Sequence, residues 1–79
     1  MDLNTIKQLI ESKIPDAQVD VKGDGYHFQV VVISDAFETK SPVARQQMVY
    51  QAVMPHIQSG ELHALSITAR TQQEWATSQ

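Results

Sequence analysis

Two histidines carry the chemistry that residue type and spacing make available to this chain. His63 stands in Gly60-Glu61-Leu62-His63-Ala64-Leu65-Ser66-Ile67, just after a helix-ending glycine and just before an apolar run. A side chain at such a junction can be held firmly and still reach solvent or a metal. His27 opens a second run, His27-Phe28-Gln29-Val30-Val31-Val32-Ile33-Ser34, rich in β-branched residues. Neutral imidazole is a common metal ligand, and the chain contains no cysteine. That excludes a disulfide framework, a thiolate nucleophile and any self-contained cysteine-ligated zinc or iron-sulfur site. A metal bound here could be held by half a site, the other half belonging to another protein.

Whether the two imidazoles meet depends on the elements that carry them. Ile6, Leu9, Ile10 and Lys13 recur at helical spacing, which predicts a helix from about Asn4 to Lys13 capped by Asn4 or Asp2 and ended by Ile14-Pro15. Gln18-Val19-Asp20-Val21-Lys22 alternates as a half-buried strand does. Gly23-Asp24-Gly25-Tyr26 supplies hairpin turn chemistry, so the run from His27 should pair antiparallel with that strand as the central one. Ser41-Pro42 offers a cap and a first-turn proline for a long helix to about Gln58. Val49, Ala52, Val53, His56 and Ile57 line one side of it, Gly60 follows its end, and Pro55 is a place to kink or divide it.

Ala64 to Ala69 reads as a third strand, reached by a right-handed crossover and hence parallel to the second. Thr71-Gln72-Gln73-Glu74 is a capping-box pattern that starts a short helix carrying Trp75, most simply a core residue or a lid over the sheet. The expectation is a single α+β domain over residues 1–79 in the order αββαβα, with helices on one face of a three-stranded mixed sheet.

In that arrangement His27 and His63 lie at the same edge of the sheet, with neighbouring strands roughly 4.8 Å apart. Parity opposes their convergence, because His63 is in phase with Leu65 and Ile67 whereas His27 is out of phase with Phe28, Val30 and Val32. The residues alone leave two readings open. One is a metal site; the plainer one makes His27 an exposed strand residue and His63 a hydrogen-bonded loop residue. His56, on the apolar side of the long helix, reads as a packed histidine.

Other chemistries find little support. Asp20, Asp24, Asp35, Glu38, Glu61 and Glu74 form no acid–base pair at defined spacing and read as solvated surface charge. No serine has a nucleophile-elbow context, and no Walker lysine follows the Gly23-Asp24-Gly25 turn. The net charge is −3, with six strong bases spread along the chain, which gives little support to nucleic-acid binding. The first residues lack a signal-peptide pattern and no segment reaches transmembrane length, so the expected location is the cytoplasm and no membrane contact is expected.

Taken in order, Phe28-Gln29-Val30, Phe37-Glu38-Thr39-Lys40-Ser41, Arg45-Gln46-Gln47-Met48-Val49-Tyr50, His63-Ala64-Leu65-Ser66-Ile67 and Glu74-Trp75 resemble the BolA family over nearly the whole chain. The Gln46-Gln47 pair and the Gly-Asp-Gly-Tyr-His-Phe turn are similar to its IbaG-type branch. The resemblance implies a fold related to the type II KH domain and a non-enzymatic role. It also implies a partner, a monothiol glutaredoxin of the Cys-Gly-Phe-Ser type, with which a [2Fe-2S] cluster is shared. The glutaredoxin cysteine and glutathione would ligate one side and the residue matching His63 the other; the isolated chain would bind no cofactor, and when free it could form a homodimer.

For the second ligand on this side, His27 is the candidate and Asp24 the runner-up, neither carried by a motif match. Lys40, Arg45 and Arg70, with Trp75, are candidate partner contacts. The rival reading is a KH-like nucleic-acid-binding transcriptional regulator touching phosphates through Lys22, Lys40 and Arg45, although the chain lacks the Gly-x-x-Gly loop of KH domains. A second rival is a protein-interaction module without a cofactor.

Overall fold

The computed structural model describes residues 2–24, 26–62 and 64–78. Helix α1 runs Leu3–Lys13, and Asp2 settles its start: the carboxylate accepts from the Thr5 amide at 2.7 Å. Ile6 and Ile10 turn inward, and Ile14, just past the end, is 2 % exposed. Strands β1 (Gln18–Gly23) and β2 (His27–Ile33) form the antiparallel hairpin that the alternation predicts.

Helix α2 spans Pro42–Gln58, with the Ser41 hydroxyl accepting from the Ala44 amide at 3.1 Å. Pro55 lies inside it and does not divide it. The carbonyl that loses its helical donor is that of Gln51, an exposed residue that water can reach. Strand β3 (Ala64–Arg70) then pairs parallel with β2, in the order β1-β2-β3. This is the expected mixed sheet in an α+β fold. A single 3-10 turn, Asp35–Phe37, lies in the connection after β2 and drives Phe37 into the core. One isolated turn has no periodicity for a sequence to display.

The core lies between the sheet and the two long helices. Ile6, Ile10, Phe28, Val30, Val32, Phe37, Val49, Val53 and Leu62 are all at most 2 % exposed. Burying a side chain of this kind contributes roughly 1.5–3 kcal/mol. Register brings Phe28, Val30 and Val32 beside Leu65, Ile67 and Ala69, so the inward face is continuous across β2 and β3. The one-face expectation holds for α1 and α2. The short helix α3 (Gln72–Ser78) instead brings the half-buried Trp75 into a hollow with Val31 and Ile33, which alternate out of phase with that inward face.

Candidate functional site at the start of the second and third strands

His27 opens β2 and is paired in register with Ala64, the first residue of β3. The histidine is exposed, whereas Phe28 beside it is 1 % exposed, so strand parity sends the imidazole away from the core as the alternation predicts. The preceding turn is tightly built. Asp24 Oδ1 accepts from the backbone amides of Tyr26 and His27, each at 2.9 Å. Those bonds, the His27 one foremost, hold the Asp24 carboxyl below its ordinary range, and the nearby imidazole acts in the same direction. The Tyr26 ring meets the His27 ring edge-on, 5.4 Å between centroids.

Gly23 permits this turn. A Cβ there would lie 2.6 Å from the His27 carbonyl oxygen and 2.7 Å from Phe28 Cδ1. The glycine therefore serves a close backbone approach in addition to turn chemistry.

His63 lies outside the described residues. Leu62 before it is 2 % exposed and donates its amide to the His56 carbonyl at 3.1 Å. His56 is partly buried, as its place on α2 implies, and its Nδ1 sits 3.1 Å from Glu61 Oε1. The Ser59 hydroxyl donates to the same oxygen at 3.0 Å. Together these lower the Glu61 carboxyl, His56 contributing most. Glu61 is thus part of a polar knot at the end of α2, a pairing across a turn that sequence spacing does not reveal. Gly60, with φ of +86°, occupies the left-handed region that the turn after α2 requires.

The three basic candidates separate. Lys40 and Arg70 are exposed. Arg45 is committed within the chain, its side chain 12 % exposed. Its Nε donates to the Lys40 carbonyl at 3.0 Å, and its Nη1 donates to the Ala69 carbonyl at 3.3 Å and to Glu74 Oε1 at 2.6 Å. Its Nη2 reaches Glu74 Oε2 at 3.2 Å, and the guanidinium lies 5.8 Å from the Phe37 ring centroid. The Thr71–Glu74 capping box forms, and Asp35 Oδ1 accepts from the Gln72 amide at 3.2 Å. Arg45 therefore fastens α2, β3 and α3 together.

Among the described residues, no group of three or more histidine, aspartate or glutamate side chains is arranged to hold a metal. No helix is long and apolar enough to cross a membrane, among those same residues. Among the described residues, one imidazole, that of His27, and one carboxylate, that of Asp24, gather beside the turn, both exposed.

A family model described as BolA-like protein matches residues 6–74. The chain belongs to the BolA-like family. It is 40 % identical over 76 residues to the acid stress protein IbaG of Escherichia coli, with 96 % of this chain and 90 % of that one covered. That agrees with the IbaG-type turn and the Gln46-Gln47 pair. Among solved structures, a BolA protein homologue from Coxiella burnetii superposes with a TM-score of 0.85 at 36 % identity, covering 96 % of this chain and 97 % of that one. Yeast Fra2 follows the same fold, with a TM-score of 0.75 at 34 % identity and coverage of 96 % and 85 %. The BolA-like fold expected from the sequence is therefore the observed one.

Proposed function

We propose that this BolA-like chain is a non-enzymatic cytoplasmic partner of a monothiol glutaredoxin, with which it shares a [2Fe-2S] cluster through His63. The observation that carries the reading is the parallel register at His27 and Ala64, which brings the exposed His27 imidazole to the strand end next in sequence to His63. The available donors suit one side of a shared centre. Imidazole is an established ligand of one iron in such clusters, and without cysteine the chain needs thiolate from elsewhere.

On this reading His63 supplies the principal nitrogen ligand and His27 the second. Asp24 is the alternative second ligand. Its Oδ1 is engaged by two backbone amides, so ligation would fall to Oδ2. The same two bonds fix the backbone at which His27 leaves the turn. Imidazole in place of thiolate on one iron leaves the cluster less negative and raises its reduction potential. Lys40 and Arg70 would meet the partner, and Arg45 would support the surface from behind through its bonds to Ala69 and Glu74.

The test mixes the purified chain with a [2Fe-2S]-loaded monothiol glutaredoxin and follows visible absorption and circular dichroism. Wild type should change both spectra, and His63→Ala should abolish the change. Identical spectra for the two would remove His63 as a ligand. His27→Ala and Asp24→Asn, which keeps an Oδ1 for the two amides while removing the carboxylate, then separate the second ligand, since a single one of them should alter the spectrum. Calorimetric binding to cluster-free glutaredoxin reports partner recognition apart from ligation.

A further inference from the structure

The sheet face turned away from α1 and α2 is only partly covered. Gln18, Asp20 and Lys22 alternate onto it from β1, and Val31 and Ile33 from β2. Register sets Ile33 beside Gln18, Val31 beside Asp20 and Gln29 beside Lys22. α3 begins at the Ile33 end, where β3 finishes with Arg70 opposite Ile33 and the Gln72 amide donates to Asp35 Oδ1 at 3.2 Å. Its Trp75 therefore walls that end of a hollow of about 360 Å³. Val31 and Ile33 form the floor, and Gln18, Asp20 and Lys22 run along one side.

The fold leaves the charges on that side unspent. Asp20 and Lys22 are exposed, and among the described residues neither enters an ion pair, with the other or with a third group. An apolar floor, an aromatic wall and a few available polar groups are the ordinary build of a recognition site. Here the polar groups stand in a line, since alternate residues of a strand are about 6.7 Å apart on one face. Alternate side chains of an extended peptide have the same spacing, whereas a single small zwitterion cannot reach both charges.

We propose that this hollow binds an extended peptide segment of another protein, laid over β1 and β2 with three alternate side chains toward the sheet. Counted from Trp75, the first is a large aliphatic side chain seated on Ile33 and Val31, the second a base at Asp20 and the third an acid at Lys22. The apolar anchor fixes where the segment lies, and the two charges fix its order, because exchanging base and acid sets like charges against each other at both positions. None of these groups belongs to the proposed cluster site, so the inference stands independently of the glutaredoxin reading.

Trp75 is the single tryptophan of the chain, so its fluorescence reports on the hollow directly. The probe is acetyl-Leu-Ser-Arg-Ser-Glu-amide, titrated to about 10 mM at low ionic strength. Its control is acetyl-Leu-Ser-Glu-Ser-Arg-amide, identical in composition and net charge. The probe should change the emission saturably and bind about tenfold more tightly than the control, and added salt should narrow that gap. The double variant Asp20→Lys/Lys22→Asp should reverse the preference. Both positions are exposed, and circular dichroism verifies that the variant folds. Equal affinity for the two peptides, a preference that the double variant leaves unmoved, or no binding of either overturns the proposal. An emission change on concentrating the chain alone would give the hollow to a second copy and overturn it too.

Discussion

The Arg45 guanidinium grips the Glu74 carboxylate through two nitrogens, at 2.6 and 3.2 Å, while its Nε binds the Lys40 carbonyl. One side chain thus joins the start of α2, the end of β3 and the first turn of α3. Arg45 is 12 % exposed but Glu74 is 44 % exposed, so the ion pair alone contributes little and the weight falls on the largely buried guanidinium's packing and its bonds to backbone carbonyls. Arg45→Ala should cost about 1–3 kcal/mol, since it removes the packing over Phe37 and one of the two side-chain donors to the Ala69 carbonyl, Arg70 being the other. Chemical denaturation measures the loss, and Trp75 fluorescence should shift toward that of a solvated indole. An unchanged midpoint and spectrum would show that α3 docks without this contact.

Glu74 also predicts an acid limb of stability. Arg45 and the Thr71 amide bring its carboxyl from 4.5 down to about 2. A folded value below the unfolded one means the contribution is complete above pH 4.5 and is lost as the pH falls toward about 2. Denaturation midpoints measured through that window should fall for wild type and fall less for Glu74→Gln, which has no carboxylate to protonate. Parallel decline of the two proteins would contradict the assignment.

Gly23 and Gly60 are required for different reasons, and substitution separates them. Alanine at Gly23 brings a Cβ within 3 Å of backbone and ring atoms of the following strand, an overpacking cost of about 1–3 kcal/mol. Alanine at Gly60 meets nothing within 4 Å but must adopt a φ of +86°, costing about 1–2 kcal/mol. Asparagine tolerates the left-handed region, so Gly60→Asn should recover much of the loss. Gly23→Asn should recover none, and thermal melting of the four variants decides.

Ser34 is fully buried, and its hydroxyl donates to the Pro15 carbonyl at 2.7 Å while accepting from the Ala36 amide at 3.1 Å. It fastens the α1–β1 connection to the 3-10 turn across nineteen residues of sequence. Ser34→Ala would strand both backbone groups and should cost about 1–3 kcal/mol. Equilibrium unfolding with no loss of stability would refute that role.

The order of elements, the hairpin, the parallel crossover and the capping box are all legible in the sequence because each depends on residues close together or on simple alternation. Ser41, Thr71 and Gly60 announce helix ends by local chemistry. His27 is legible too, since parity alone sends it outward. Arg45 is not, because its partners Ala69 and Glu74 lie 24 and 29 residues away and a lone base looks the same whether solvated or clamped. Thr39, with a φ of +68°, carries a backbone conformation unusual for a β-branched residue and no sequence signature for it.

The mixed sheet has a consequence for how the chain acquires its structure. β2 meets β1 across a short turn but meets β3 only after the whole of α2 has been laid down. Hairpins close in about 1–10 μs, whereas contacts distant in sequence wait on the closure of a long loop. A β1–β2 hairpin resting on α1 is thus the expected early species, with one flank of β2 bare. Ile67→Val should therefore chiefly quicken unfolding and leave the refolding rate nearly unchanged, whereas Val30→Ala should slow refolding. Stopped-flow kinetics on the two variants would date the arrival of the third strand.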